Sequence, residues 1–236
     1  MNRDTLGLVA TCLGLAACNG VTTPRSDVAV PVIQGLLVTG ETRHSFSITW
    51  SVPADSPFVF QGPPRPVAPG DVSLRILGPG GQLLPMVSID AAAGAFEVNG
   101  PILPETRYDL EGTVSGQAVS ATVVTPGPFV VTSPASDTIR NPANSAREIP
   151  YQWRAAGAVA FVAKPFVAGV LPATDSTGIL SFLDPFGTAS ITFLALERHA
   201  VEFFRPQAVE PRSGNITGAL GVVGAASSAR RVFIWQ

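Results

Sequence analysis

Two histidines, one close acidic pair and two cysteines hold most of the reactive chemistry in this 236-residue chain. A metal centre needs several ligands close in space, and His44 and His199 stand far apart, with no HxH, HxxxH or CxxC spacing. His44 is placed in a loop and His199 in a short helix, beside Glu202. No serine lies in a GxSxG elbow, so a Ser-His-Asp set would need a histidine that carries no flanking signature. Asp109 and Glu111 would serve glycoside hydrolysis only across a cleft. Two residues apart in an alternating stretch, they share the wet face opposite Tyr108 and Leu110. "TDSTG" at 174–178 offers oxygen ligands but too few acids for a calcium loop, and is read as a turn. The spacing therefore predicts no catalytic residue, no cofactor and no metal.

The thiols carry the stronger signal. Arg3 is followed by an apolar run from Leu6 to Ala17, too short for a bilayer, which takes roughly 20 residues. Charge, grease and small residues come in the order of a secretory signal. Leu15, Ala16 and Ala17 before Cys18 resemble the lipobox of bacterial lipoproteins. The resemblance implies cleavage before Cys18, a lipid on its sulfur and a palmitate-type acyl anchor, with each buried methylene worth about 0.8 kcal/mol. The other reading is an ordinary cleaved signal with an incidental cysteine. Asn19 stands where Asp is the familiar inner-membrane retention mark in some Gram-negative bacteria, which points to the outer membrane.

Cys12 leaves with the leader and Cys18 is consumed by lipid, so no disulfide staples the mature fold. Fifteen basic and 17 acidic residues give a net charge of -2, which is no footprint for nucleic acid. With 22 prolines and 23 glycines spread through the chain, many short strands joined by turns are expected.

These strands must position whatever the protein uses. Residues 19–27 read as a flexible tether. "VAVPVIQGLLVTG" is a first strand broken by Pro31 and ended by Gly40. In "SFSITWSV", Phe46, Ile48, Trp50 and Val52 alternate with polar residues, so one face is buried. "VFQGPPRPVAPG" is a proline-rich loop. "DVSLRIL", "QLLPMVSI", "GAFEVNG" and "TRYDLEGTVSGQAVSATVVTP" add strands, with turns at 78–81 and at Ser115-Gly116. About seven strands fit between residues 28 and 125, which suits a β-sandwich over 28–126.

"TPGPF" at 125–129 is read as a stiff linker to a second β domain over 127–236. There "REIPYQWRAAGAVAFVAKPF" is read as a pair of strands around Ala156-Gly157. It resembles the second and third strands of a fibronectin type III-like module, with the tryptophan in the core. "GILSFLDP" and "ASITFLAL" add strands. Glu197 to Arg205 suits a short helix stopped by Pro206. "GALGVVGAAS" at 218–227 is read as a close-packed edge or loop before a final strand ending at Trp235. Trp50 and Trp153 are expected in cores and not on a sugar-stacking platform. The fold class is all-β, two consecutive sandwiches, Ig-like or prealbumin-like and then fibronectin type III-like, with one short helix near the C-terminus.

Taken in order, the lipobox, "VIQGLLVTG", "PGDVSLRILGPGGQLLP", "GAFEVNG", "TRYDLEGTVSGQAVSATVVTP", "LERHAVEFFRPQ" and "ITGALGVVGA" resemble the domain-of-unknown-function 4249 lipoproteins of Gram-negative bacteria. That family often shows an acidic-basic-Asn step before aromatics and then a "GGxGxFG" ending. Here the matching positions are Glu197-Arg198-His199, Phe203-Phe204 and Gly218 to Gly224, with Val223 in the aromatic place. The resemblance implies an outer-membrane lipoprotein, in some cases encoded near TonB-dependent transporters, and supplies no catalytic residues.

The expected function is a non-enzymatic binding or interaction module. It is anchored to the membrane through lipid on Cys18 and accessory to a TonB-dependent uptake system. A surface glycan-binding or adhesion protein is the alternative, and its mark would be two or three exposed coplanar aromatics. A hydrolase would require His44 or His199 to meet an acid and a nucleophile in a cleft.

Overall fold

The computed structural model describes residues 29–51, 64–141, 148–164, 171–172, 177–181, 187–204 and 214–235. Cys18 with Leu15, Ala16 and Ala17, the tether, residues 59–63 of the proline-rich loop and residues 174–176 of "TDSTG" lie outside these ranges.

Seven strands occupy the first half of the chain. They are β1 (Pro31–Thr39), β2 (Arg43–Trp50), β3 (Val72–Leu77), β4 (Leu83–Asp90), β5 (Ala95–Asn99), β6 (Arg107–Val114) and β7 (Gln117–Val124). Pro31 opens β1 and does not interrupt it, because a proline at the first position removes no ladder bond. The second half adds β8 (Val130–Ser133), β9 (Thr138–Asn141), β10 (Glu148–Arg154), β11 (Ala160–Lys164), β12 (Leu171–Pro172), β13 (Thr177–Ser181) and β14 (Gly187–Leu196). One helix, α1 (Arg198–Phe204), and the strands β15 (Ile216–Thr217) and β16 (Leu220–Trp235) complete the described chain.

The main sheet runs β12-β11-β14-β16-β1-β2-β5-β4-β3-β6-β7-β15, with β9 also on β16, and β13-β10-β8 form a separate sheet. β4 changes partner midway: Leu83–Pro85 pair with β3 and Met86–Asp90 with β5. The sheet therefore curls over the first core. That core holds Ile33, Phe46, Ile48, Leu74, Tyr108 and Val123 from alternate positions of facing strands. Tyr108 is sealed from solvent, and its hydroxyl accepts the N–H of Leu103 at 2.8 Å, five residues upstream. This is the corner arrangement of Ig-like sandwiches.

The second core lies between β8-β10-β13 and the β11-β14-β16 region, and is largely aromatic: Phe129, Tyr151, Trp153, Phe161, Phe193 and Trp235. Trp153 sits 4.5 Å from Tyr151 and 4.9 Å from Phe161 by ring centroids. A third cluster, including Leu36, Val38, Leu194, Leu196, Ala200 and Ala226, lies under α1.

Further sequence expectations change. β10 and β11 do not pair; β10 joins β8 and β13, and β11 joins β12 and β14. The turn at Ala156-Gly157 crosses between sheets, which lets Trp153 and Phe161 face each other across the core. "GALGVVGAAS" is mostly the start of a central strand, flanked by β1 and β14, and not an edge. The 125–129 linker is packed: Thr125 and Phe129 are buried, and Ser227 Oγ contacts the carbonyls of Pro126 (3.0 Å) and Gly127 (2.6 Å). β16 runs unbroken past this crossing, so the chain lies against it. His44 lies in β2, not in a loop.

β16 also crosses the division expected at 126/127. Val223 and Ala225 fill the first core, Phe233 and Trp235 the second. β15 pairs with β7 of the first sandwich.

Candidate functional site

His44 is 1% exposed. The N–H of Val38 donates to its Nδ1 at 3.2 Å, so Nδ1 is bare, and Nε2 carries the hydrogen donated to the Gly100 carbonyl at 3.0 Å. Burial lowers its pKa against the opposing pull of the Gly100 bond, Glu41 and Glu97. Both ring nitrogens are thus spent on backbone, tying β1 and β2 to the end of β5. His199 lies in the first turn of α1, half-buried. Among the described residues no group of three His, Cys, Asp or Glu side chains is placed to hold a metal.

Asp109 and Glu111 face outward on β6, as the alternation predicts, and each meets an arginine. Arg107 donates to Asp109 from Nε and Nη2 at 3.1 and 2.9 Å, and Thr122 Oγ1 donates to the same carboxylate. The Arg107 bond, then the Thr122 bond, hold the Asp109 carboxyl below the usual range. Arg75 Nε donates to Glu111 at 2.8 Å from β3. A shallow depression of about 460 Å³ opens beside them, lined also by Ser120, Thr122, Asn215 and Thr217. Its charges are paired, its other polar side chains are hydroxyls and an amide, and Leu110 and Ala121 complete the lining. It is a hydrogen-bonding surface, not an acid–base pair.

Asn215 has a further part, since its side chain donates to the Val223 carbonyl at 2.7 Å and accepts the Val223 N–H at 3.0 Å. Glu197 plays the matching part on α1. Its carboxylate accepts the N–H groups of His199 and Ala200, each at 2.8 Å, capping the helix. A Cβ on Gly224 would lie 2.5 Å from Ala200 Cα, so glycine there lets the helix lie directly on β16. The sequence showed both the small residues of this stretch and the short helix, but not that the helix packs on them.

Two buried charges escaped the sequence reading. Glu97 is buried and paired with Arg43 at 2.8 Å. Arg231 is buried, donating to Asp137 at 2.6 Å and to the Val131 carbonyl at 3.2 Å. Trp153 and Trp235 fill the second core and Trp50 packs against the first, so none joins an exposed platform.

The strand directions also define a lower pole of the first sandwich. β1 begins there, opposite the end of β2 (Pro31 with Trp50), and the β4–β5 turn lies there too, since Ala95 pairs with both Ser47 and Asp90. β16 starts beside Val32 and runs away from this pole into the second core.

No family model matches the sequence, and no curated protein does. Among solved structures, the chain is similar to the fibronectin(III)-like modules of Clostridium thermocellum CbhA. Identity there is 13%, covering 85% of this chain and 93% of that one, at a TM-score of 0.24. It is similar to a two fibronectin type-III domain segment of chicken tenascin at 14% identity, covering 71% and 91%, at 0.23. The FN1-FN3 domains of chicken CNTN1 follow at 10% identity, covering 84% and 66%, at 0.19. The all-β architecture rests on the strands and their register.

Proposed function

We propose that the mature chain is a lipid-anchored, non-enzymatic interaction module of the outer membrane, accessory to a TonB-dependent uptake system. One observation carries this reading: in the sequence, the lipobox cysteine and a polar stretch come immediately before β1, which begins at one pole of the first sandwich. Such an order suits a protein held by one end and offering its far surfaces to a partner. His44 is sealed by backbone, and Asp109 and Glu111 are each neutralised by arginine, which supports binding over catalysis. The likeness to domain-of-unknown-function 4249 lipoproteins adds the envelope setting and the transporter neighbourhood.

The test compares the native protein with Cys18→Ala in its own cells. Incorporation of an alkyne-tagged fatty acid by the native protein alone supports the anchor, as does its presence in the outer-membrane fraction. Mild crosslinking should then capture an outer-membrane barrel only when Cys18 is present. Equal labelling and fractionation of both forms would overturn the anchor. Capture of no barrel from fully loaded membranes would overturn the accessory role.

A further inference from the structure

We propose that the lower pole of the first sandwich, at the β4–β5 turn, rests on the phospholipid surface to which Cys18 holds the chain; this rests on the anchored reading above and deepens it. On the outer face of β4, Val87 and Ile89 are 49% and 55% exposed, two large aliphatic side chains in succession on the turnward half of the strand. Ala91, Ala92 and Ala93 continue this apolar surface around the turn, all exposed. The turn's one charge is occupied locally, because the Asp90 carboxylate accepts the N–H groups of Ala92 at 3.0 Å and Ala93 at 3.2 Å. The headgroup level of a bilayer accepts such a tip, which can set its aliphatic side chains toward the acyl boundary and leave the Asp90 carboxylate in the polar layer.

The occupant follows from where the anchor enters the fold. Residues 19–30 separate Cys18 from β1, and a chain of that length spans at most about 40 Å, or about 20 Å as a random coil. β4 lies three strands from β1, roughly 15 Å away at 4.8 Å per strand. The tip is therefore within reach of the surface that holds the lipid. The far end is not, since β16 carries the chain about 50 Å from this pole to Trp235 at some 3.3 Å per residue. The other exposed aliphatics of the first sandwich, Leu83, Leu103 and Val124, lie at the opposite end of β4, β6 and β7, and Val130 and Val159 belong to the second.

Strand addition by a protein fits this tip less well. Met86–Asp90 pair only with β5 among the described residues, but the register shifts between Ser88 and Asp90. Such a bulge spoils the ladder that an added strand would need.

The experiment uses the cysteine count: Cys12 leaves with the leader and Cys18 carries lipid, so an introduced cysteine is the one free thiol of the mature protein. An environment-sensitive fluorophore is placed on Ile89→Cys, on Glu41→Cys at the opposite pole, and on Thr22→Cys in the tether. Each protein, as extracted from its own membranes, is reconstituted in phosphatidylethanolamine and phosphatidylglycerol vesicles, with and without a nitroxide-bearing lipid. Docking predicts quenching at positions 22 and 89, several-fold stronger at 89 than at 41. Quenching at 22 with 89 no stronger than 41 overturns the docking and leaves the anchor standing. Quenching at none of the three overturns the anchor itself and the docking with it. A label at 89 that is shielded from aqueous iodide yet unquenched by the nitroxide lipid shows cover by protein, which also overturns lipid docking.

Discussion

Glu197 and Ala225 are tied to each other twice: the Glu197 N–H donates to the Ala225 carbonyl at 3.0 Å, and Glu197 Oε1 accepts the Ala225 N–H at 3.2 Å. The same oxygen accepts from Ala200, so one buried carboxylate joins α1 to β16 where the two cores meet. Glu197→Ala strands two buried N–H groups and removes the helix cap, at a cost of about 3 kcal/mol. Glu197→Gln retains an acceptor oxygen and should lose about half as much. Urea unfolding of the three proteins gives this order, and equal stability of all three would show that the clamp adds nothing.

Gly224 is the steric side of the same junction. Adding one methyl drives a carbon to 2.5 Å from Ala200 Cα and 2.7 Å from Ala200 N, both backbone atoms that cannot swing aside. Gly224→Ala should therefore destabilise by about 1–3 kcal/mol through overpacking. Gly70→Ala is the matched control, since a Cβ there meets nothing within 4 Å, and should stay within about 0.5 kcal/mol of the native protein. Thermal unfolding that fails to separate the two variants would contradict the close approach.

The Tyr108 hydroxyl accepts the N–H of Leu103 at the corner before β6. Tyr108→Phe keeps the ring in the core and removes only the acceptor. A loss of about 1–2 kcal/mol is expected, with an unchanged denaturant slope, because the buried area stays the same. Amide exchange at Leu103 should quicken by more than at Val123, which shares the core but not the corner.

How far the sequence reaches can be judged from particular residues. Phe46 and Ile48, and Tyr108 through Val114, declare their buried face by alternation, and α1 is announced by the change of period after Glu197. The sheet that each strand joins is a different matter. Ala156-Gly157 signals a reversal, yet a reversal within one sheet and a crossing between two carry the same turn residues. The start of β16 is rich in glycine and alanine and reads locally as turn; its smallness answers to α1 and β1, which press on it from elsewhere in the chain. In β4 both parities are apolar, so "QLLPMVSI" gives no sign that Val87 and Ile89 face outward. Of the candidate site, the Cys18 signal is legible only as sequence. The pole at which β1 begins is legible only as structure.

His44 gives the pH dependence a definite sign. Its pKa in the folded protein lies below the ordinary 6.5 because burial disfavours the imidazolium, outweighing the Gly100 bond and the fields of Glu41 and Glu97. Between the lowered value and 6.5 the unfolded chain binds the proton and the folded chain does not, so stability rises with pH through that window. The contribution is complete above the unfolded pKa and is lost as pH falls toward the folded one, with a slope of at most about 1.4 kcal/mol per unit for one proton. Protonation also converts Nδ1 from acceptor to donor, against the Val38 N–H that points at it. His44→Gln can accept from Val38 and donate to Gly100 without titrating. It should be less stable at neutral pH, by about 1 kcal/mol for imperfect geometry, and should show a flatter stability profile as pH falls below 6.5. Urea midpoints taken across that interval decide the matter. Parallel profiles for the two proteins would mean that His44 does not set the acid sensitivity.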